Sequence, residues 1–320
     1  MSNSQNVTDD TMWSGLLHTG ISGTVFRLPH VAATRDAVAA AKLDVAFLGF
    51  PFDSTQISRT GANYGPRGIR EHSSLFLTYN ATSDIDLTAR LTMADCGDIP
   101  VIPGDVSGTM SRAEAMCGEI LKGGARPFIL GGDHSVTIGG VRAFAKHRKR
   151  PGLILFDTHF DTADHVGGVK ESHCCPITRA IDAGFDPKCT AIIGVSGWLN
   201  PRSEMEYARK HGMAVFSLDD VMREGPSAIG KKAAAVAGAD GRDVYLTIDI
   251  DALDASIAPG TCVPTAGGMM LRELFAILAE FKGLKIGAAD IVEVAPSLDP
   301  TNVTQITACR IILETLSIIQ

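Results

Sequence analysis

The sequence predicts an α/β fold built on a largely parallel, doubly wound sheet. Six short apolar runs recur along the chain, at residues 45–50, 127–130, 153–156, 191–195, 244–248 and 286–289. Continuous apolar runs of this length, rather than alternating ones, are typical of strands buried on both faces of a parallel sheet. Helix-like stretches at residues 111–121, 203–210 and 271–281 lie between them. This alternation of strands and helices indicates the doubly wound class.

The length allows one large α/β domain or two small ones. Because no linker, repeat or low-complexity tract marks a boundary, we predict a single domain over residues 1–320, with residues 1–20 as a polar N-terminal extension. The net charge of -7 gives no electrostatic basis for binding nucleic acid or an anionic membrane. No apolar run approaches the roughly 20 residues that a transmembrane helix needs. Seven cysteines, an odd number without the spacing of a disulfide framework, indicate a reducing compartment. We therefore predict a cytoplasmic protein.

Metal-binding side chains are concentrated directly after three of the predicted strands. The carboxyl ends of parallel strands meet at one edge of a sheet, which is where ligands bind. Along an extended backbone alternate residues share one side, so Asp-x-His-x-Asp and Asp-x-Asp each direct their side chains together. Four carboxylates and two imidazoles are too many ligands for one ion and suit two, with carboxylates bridging. The candidate metal ligands are His134, Asp157, His159, Asp161, Asp249 and Asp251.

A simpler interpretation is that an Asp or His at a strand end caps a helix or forms a turn. It accounts for any one of these residues but not for all six, because carboxylates clustered at one edge repel each other unless cations are bound. Two further residues become candidates only beside this cluster. His173 lies in a loop, where a lone histidine is usually just solvated, and Glu293 ends a strand-like run, where it could be an ordinary surface carboxylate.

Taken together, these motifs resemble those of the ureohydrolase (arginase/agmatinase) family, in particular its agmatinase-like branch with guanidinobutyrase and guanidinopropionase. The similarity runs from about residue 20 to the C-terminus. Residues 26–29 are similar to guanidino-acid hydrolases and proclavaminate amidinohydrolase. The motifs that carry the resemblance are residues 131–135, 156–161, 248–254, 258–261, 267–268 and 290–294.

The resemblance implies a three-layer α/β/α domain, commonly assembled as a homo-oligomer (trimer or hexamer). It also implies two divalent metal ions in each chain, usually Mn²⁺ and in some relatives Ni²⁺. The first ion would be held by His134, Asp157, Asp161 and Asp249, and the second by Asp157, His159, Asp249 and Asp251.

The implied reaction is hydrolysis of a guanidino compound, of agmatine or guanidino-acid type, to urea and an amine by a hydroxide that bridges the metal ions. Glu293 matches the carboxylate that binds the substrate guanidinium. His173 matches the histidine that transfers a proton to the leaving amine. Asp161, besides binding metal, would accept a hydrogen bond that orients the hydroxide.

The chain departs from the family pattern at substrate-side positions, while all the metal ligands are kept. Asn63 and Ser196 stand where relatives usually carry arginine, Thr265 where they carry glutamate, and Val263 where they carry threonine. We therefore regard these four as candidate specificity residues. One interpretation is a changed substrate, a small alkylated guanidine or a biguanide of metformin type. The other is neutral drift around the ordinary substrate.

Cys174 and Cys175 follow His173, where relatives usually carry Gly and Thr. As adjacent thiols they could bind a soft metal or become oxidised, although filling the loop with small side chains is the simpler interpretation. Two other classes of protein stay open. A non-catalytic subunit of a hetero-oligomer would ordinarily have lost metal ligands, and a deacetylase of this fold holds one zinc with fewer carboxylates. Two metal ions per chain indicate the hydrolase, one the deacetylase and none the partner subunit.

Overall fold

The computed structural model describes residues 23–319, so the predicted extension at residues 1–20 lies outside the described residues. Eight strands form one fully parallel sheet in the order β4-β1-β5-β10-β9-β6-β7-β8, and β2 and β3 form a separate antiparallel hairpin. The strands are β1 (Val45–Gly49), β2 (Tyr79–Asn80), β3 (Ile85–Asp86), β4 (Met93–Asp98), β5 (Arg126–Leu130), β6 (Gly152–Phe156), β7 (Thr190–Val195), β8 (Ala214–Ser217), β9 (Asp243–Asp249) and β10 (Lys285–Val292).

Helices cover both faces of this sheet, which confirms the predicted three-layer α/β/α class. One layer packs α2, α3 and α8 to α11 against the sheet, and the other packs α1 and α4 to α7. The helices are α1 (Arg35–Ala41), α2 (Gly65–Ser73), α3 (Leu87–Arg90), α4 (Val106–Lys122), α5 (Val136–His147), α6 (Pro176–Ala183), α7 (Arg202–His211), α8 (Leu218–Glu224), α9 (Pro226–Ala237), α10 (Leu271–Ala279) and α11 (Val303–Ile318).

Alternate residues of each central strand pack into different helical layers. Phe47 and Phe128 belong to one core, whereas their neighbours Leu48 and Ile129 belong to the other. All four side chains are buried. A strand that is covered on both sides needs apolar residues at consecutive positions, which is why the apolar runs of the sequence are continuous rather than alternating.

Two sheet strands have no counterpart among the six predicted ones. These are β4 and β8, which form the two edges of the sheet. Strand β4 is interrupted by Asp95 and Asp98, so it is not a continuous apolar run. Strand β8 does follow a short apolar run, at residues 213–216, which was not among the six predicted strands, and each of its residues is only partly buried. Helix α4 also begins earlier than predicted, at Val106, because the Asp105 carboxylate caps it by accepting a hydrogen bond from the Gly108 N–H at 3.0 Å. Within residues 23–319, no helix is long and apolar enough to cross a bilayer.

Candidate metal centre and substrate pocket

The four central strands β5, β10, β9 and β6 are neighbours in the sheet, and each ends in polar residues at the same edge. Their parallel direction brings together turns that are distant in sequence. The turn after β5 carries His134, the turn after β10 carries Glu293, and the remaining candidate ligands end or follow β6 and β9: Asp157, His159, Asp161, Asp249 and Asp251.

His134 is surrounded by three carboxylates that come from two strand ends. Its Nδ1 lies 2.8 Å from Asp161 Oδ2, 3.2 Å from Asp249 Oδ2 and 3.3 Å from Asp157 Oδ2. Potential ligand atoms of His134, Asp157 and Asp249 all lie within 4.8 Å of one another. These four side chains therefore form one compact donor set.

His159 forms a second donor set on the other side of Asp157. Its Nδ1 lies 3.1 Å from Asp157 Oδ1 and 3.3 Å from Asp251 Oδ2, and ligand atoms of the three residues again lie within 4.8 Å of one another. The two oxygens of Asp157 thus face different histidines. A carboxylate in that position can bridge two cations.

The charges of this cluster are not balanced by the protein alone. Asp157, Asp249 and Asp251 are at most 2% exposed. Burial and the charge of Asp251 raise the pKa of Asp249 well above its usual range, and burial raises the pKa of Asp251 to about 7. Burial alone would lower the pKa of His134, but the adjacent carboxylates raise it well above its ordinary value. Protons thus take the place that cations would otherwise occupy.

Two buried atoms without a hydrogen bond show that the cluster fits metal ions. His134 Nδ1 and Asp157 Oδ2 are shielded from solvent, and neither has a hydrogen-bonding partner. The other ring nitrogen, His134 Nε2, lies 3.0 Å from the hydroxyl of Thr247. A proton shared on that side leaves a lone pair on Nδ1, which points at the carboxylates as a metal ligand would. The residues therefore fit a pair of divalent cations.

Asp161 and Glu293 both adopt backbone conformations that side chains usually avoid. Their φ angles are 51° and 63°, in the left-handed region. A non-glycine residue is held there only when its surroundings impose it, and such residues cluster at functional sites. In both cases the conformation turns a carboxylate into the site at the end of a strand.

The turn that carries His134 packs closely against the loop after β1. The Asp133 N–H donates to the Phe52 carbonyl at 2.8 Å, and the Thr55 N–H and hydroxyl both donate to the Asp133 carboxylate. A Cβ at Gly132 would collide with the Phe52 backbone. Gly132 is therefore required for the approach of these two loops.

Glu293 is held by three groups at the base of the site. Its Oε1 accepts a hydrogen bond from the His134 N–H at 2.8 Å, and the Gln56 amide donates to Oε1 at 2.7 Å and to Oε2 at 2.5 Å. The ring Nδ1 of His173 lies 3.5 Å from Oε1. Gln56 was not among the residues predicted from the sequence. Its only signal is its position in the polar loop after β1, the neighbour of β5, whose end lies at the same edge.

His173 is nearly buried and faces Glu293. Its backbone N–H donates to the Thr55 hydroxyl at 3.0 Å, and its Nε2 has no hydrogen-bonding partner. Burial would lower the pKa of its ring, but the adjacent Cys174 and Glu293 raise it to about 11. The imidazole is therefore placed to carry a proton beside Glu293.

These residues line a cavity of about 320 Å³ at the carboxyl edge of the sheet. Five of the six candidate metal ligands, all except Asp157, lie in its wall with His173 and Glu293, together with loop residues that were not predicted from the sequence. Of the four candidate specificity residues, Val263 lies in the wall, whereas Asn63, Ser196 and Thr265 are not among the described residues that line it. The full lining is Ile57, Ser58, His134, His159, Asp161, His173, Cys174, Leu199, Asn200, Pro201, Glu204, Asp249, Asp251, Val263 and Glu293.

The comparison with known proteins agrees with this geometry. The profile of the Arginase family matches residues 43–317. The chain is 34% identical over 282 residues to guanidinopropionase of Pseudomonas aeruginosa, covering 87% of each chain. It is 33% identical over 278 residues to agmatinase of Enterobacter sp., covering 86% of this chain and 87% of that one.

Solved structures show the same fold. Proclavaminate amidino hydrolase from Streptomyces clavuligerus superposes with a TM-score of 0.84 at 31% identity, covering 92% of this chain and 95% of that one. The match of profile, sequence and fold extends over nearly all the residues that build the cavity. The chain therefore belongs to the arginase family of ureohydrolases, in its agmatinase-like branch.

Proposed function

We propose that this chain hydrolyses a guanidino compound, of agmatine or guanidino-acid type, to urea and an amine at a dinuclear metal centre. As a ureohydrolase of the arginase family it is a hydrolase that acts on guanidino C–N bonds. The observation that carries the proposal is the joint placement of two His/Asp donor sets and Glu293 in one cavity. It combines a site for cations with a carboxylate suited to a guanidinium.

The donor set is consistent with Mn²⁺ as the native ion, because carboxylates suit manganese, and with Ni²⁺ as the alternative, because imidazoles suit nickel. When bound, two divalent cations supply Lewis-acid chemistry that brings the pKa of a water molecule close to neutrality. His134, Asp157, Asp161 and Asp249 would hold one cation. The second would be held by Asp157, His159, Asp249 and Asp251.

Glu293 binds the substrate guanidinium in this proposal. Its two oxygens already accept hydrogen bonds from the Gln56 amide, whose N–H groups resemble those of a guanidinium. A guanidinium offers planar, charged donors, so it pairs with the carboxylate more strongly than a neutral amide does. Substrate binding therefore replaces the contact with Gln56.

Asp161 and His173 have different roles in the reaction: the first orients the water and the second donates a proton. Asp161 accepts a hydrogen bond from the attacking water and orients it. His173 lies 3.5 Å from Glu293 Oε1, so it is next to the guanidinium nitrogens that Glu293 binds. It donates the proton that the leaving amine requires.

A small alkylated guanidine or a biguanide is the second candidate substrate. Val263, which stands where relatives usually carry the more polar threonine, lines the cavity, and so does Cys174, which stands where they usually carry glycine. A wall with fewer hydrogen-bonding groups suits a compact or alkylated substrate. We further propose a cytoplasmic homo-oligomer (trimer or hexamer); a related second subunit is the alternative.

The test is urea release from protein reconstituted separately with Mn²⁺ and Ni²⁺. The panel contains agmatine, guanidinobutyrate, guanidinopropionate, arginine, guanidine and dimethylbiguanide, with guanylurea and alkylguanidines followed by mass spectrometry. Metal content per chain is measured on the same samples. Turnover with two ions per chain supports the proposal, and no product with both sites filled contradicts it.

His159→Ala tests the proposed metal centre directly, because His159 contributes to one donor set and to the cavity wall. We expect loss of metal-dependent turnover. His165→Ala is the control, since His165 is an exposed histidine outside the cavity lining. Unimpaired turnover in His159→Ala would contradict the assignment of the metal centre.

A further inference from the structure

Asn200 lies in the cavity wall between β7 and α7, and the reaction proposed above does not use it. The hydrogen bonds of its side chain all go to backbone groups. Its Nδ2 donates to the carbonyls of Thr158 at 2.8 Å and Ser196 at 2.7 Å. Its Oδ1 accepts a hydrogen bond from the Phe160 N–H at 3.1 Å. The amide therefore uses both of its N–H donors and its acceptor on the protein itself.

Two of these contacts enclose the metal ligand His159. The Thr158 carbonyl belongs to the peptide group before His159, and the Phe160 N–H belongs to the peptide group after it. A side chain that binds both peptide groups restrains the backbone of the residue between them, as pairing with a neighbouring strand does. The regular pairing of β6 with β7 ends at Phe156. Asn200 thus holds the turn that follows this pairing against the end of β7.

The backbone of this turn decides where the His159 ring points. Phe160 is 1% exposed and packs in one of the two cores, so the turn is anchored on the side away from the cavity. The ring contacts the carboxylates of Asp157 and Asp251, at 3.1 and 3.3 Å. Metal ions would take the place of the proton that the ring shares with these carboxylates. The direction of the ring then depends on the backbone that Asn200 restrains.

We infer that Asn200 is a positioning residue for His159 and that it controls binding of the second metal ion, the one assigned above to the His159 donor set. The inference rests on the dinuclear centre of the proposed function, but it concerns how that centre forms and not which substrate is cleaved. Residues that hold a metal ligand in place are part of the affinity of a site, and their loss typically weakens metal binding by about tenfold to a hundredfold.

The other roles open to Asn200 are contact with the substrate and general support of the fold. Both N–H donors are already used by the Thr158 and Ser196 carbonyls, so donation to a substrate would break one of these hydrogen bonds. General support is tested with a matched control, Asn80. It is also half-buried, lies in the β2–β3 hairpin outside the cavity lining, and accepts hydrogen bonds from two backbone N–H groups of its turn, at 2.9 and 3.2 Å.

The experiment measures Mn²⁺ binding to the full chain for wild type, Asn200→Leu and Asn80→Leu. Leucine branches at Cγ as asparagine does, but its side chain makes no hydrogen bond. Titration calorimetry gives the number and affinity of the bound ions, and electron paramagnetic resonance distinguishes a coupled manganese pair from a single ion.

In Asn200→Leu we expect the affinity for one ion to fall about tenfold to a hundredfold, while the affinity for the other stays unchanged. The signal of the coupled pair should be lost at Mn²⁺ concentrations that saturate wild type. Asn80→Leu should bind both ions as wild type does. Thermal unfolding of the metal-free proteins shows whether the variants are folded. If Asn200→Leu does not fold, Asn200→Ala, which leaves space for water, is measured in its place with the same expectation.

Three results would overturn the inference. The first is unchanged affinity for both ions in the Asn200 variant, and the second is the same weakening in Asn80→Leu. The third is a raised KM with metal binding unchanged, which would indicate contact with the substrate instead. If wild type binds two ions but cleaves no guanidino compound, the proposed function fails, and the metal affinities still decide the role of Asn200.

Discussion

The hydroxyl of Thr247 should control how tightly the centre binds metal, although it cannot itself reach the cations. Thr247 is fully buried in β9, and its Oγ1 lies 3.0 Å from His134 Nε2. This contact keeps the ring proton on Nε2 and leaves Nδ1 free as a ligand. Thr247→Val removes the hydroxyl while preserving the shape of the side chain. The ring proton can then move to Nδ1, which lies 2.8 Å from Asp161 Oδ2.

The magnitude follows from the proton that metal binding must displace. In Thr247→Val, metal binding returns the ring proton of His134 to Nε2. The N–H formed there is buried and has no acceptor. Leaving a buried N–H unsatisfied costs about 1–3 kcal/mol, and each 1.4 kcal/mol is a factor of ten. We therefore expect metal affinity to fall by about tenfold to a hundredfold.

The assay is competition for Mn²⁺ with a chelator of known affinity, together with thermal unfolding of the metal-free proteins. Thr315→Val is the matched control. Thr315 is equally buried, lies in α11, and its hydroxyl has no hydrogen-bonding partner in the structure. Metal affinity within twofold of wild type in Thr247→Val would refute the role given to Thr247.

Two further predictions concern stability. Gly132→Ala should yield little folded protein, because a Cβ there collides with the Phe52 backbone; Gly197→Ala, which meets no atom within 4 Å, should unfold like wild type. Near-equal unfolding temperatures of the two variants would contradict this. Metal-free protein should lose stability as the pH rises from 5 to 8. Burial raises the pKa of Asp251 to about 7, and despite burial the adjacent Asp251 raises that of His159 far above its ordinary value. Above the unfolded-state values of about 4 and 6.5, the folded chain thus binds more protons than the unfolded chain, so stability falls with pH. Thermal unfolding at both pH values, with and without Mn²⁺, tests this, and a metal-free protein that is more stable at pH 8 would contradict it.

The sequence by itself determined the fold class and indicated the candidate metal ligands. Strands covered on both faces must be apolar at consecutive positions, so the six central runs were visible. The edge strand β4 was not visible, because Asp95 and Asp98 interrupt its apolar residues. The other edge strand, β8, was missed although residues 213–216 form a short apolar run. The ligand motifs were visible because a two-residue repeat directs side chains to one side whatever the rest of the chain does. Because the strands are parallel, their carboxyl ends lie at one edge of the sheet, and this brings the motifs together.

Only the tertiary structure decided which other residues share the cavity. Gln56 contacts Glu293 across a sequence separation of 237 residues, and Glu204 reaches the wall from a helix that no local pattern relates to β6. Val263 lies in the wall, while Asn63, Ser196 and Thr265, chosen by the same reasoning, do not line it; their part in specificity stays a prediction. A departure from the family pattern shows that a residue differs from its counterpart in relatives, but not whether its side chain faces the cavity. Which loops meet at the edge of the sheet depends on packing between distant elements, and that is set by long-range contacts rather than by local periodicity.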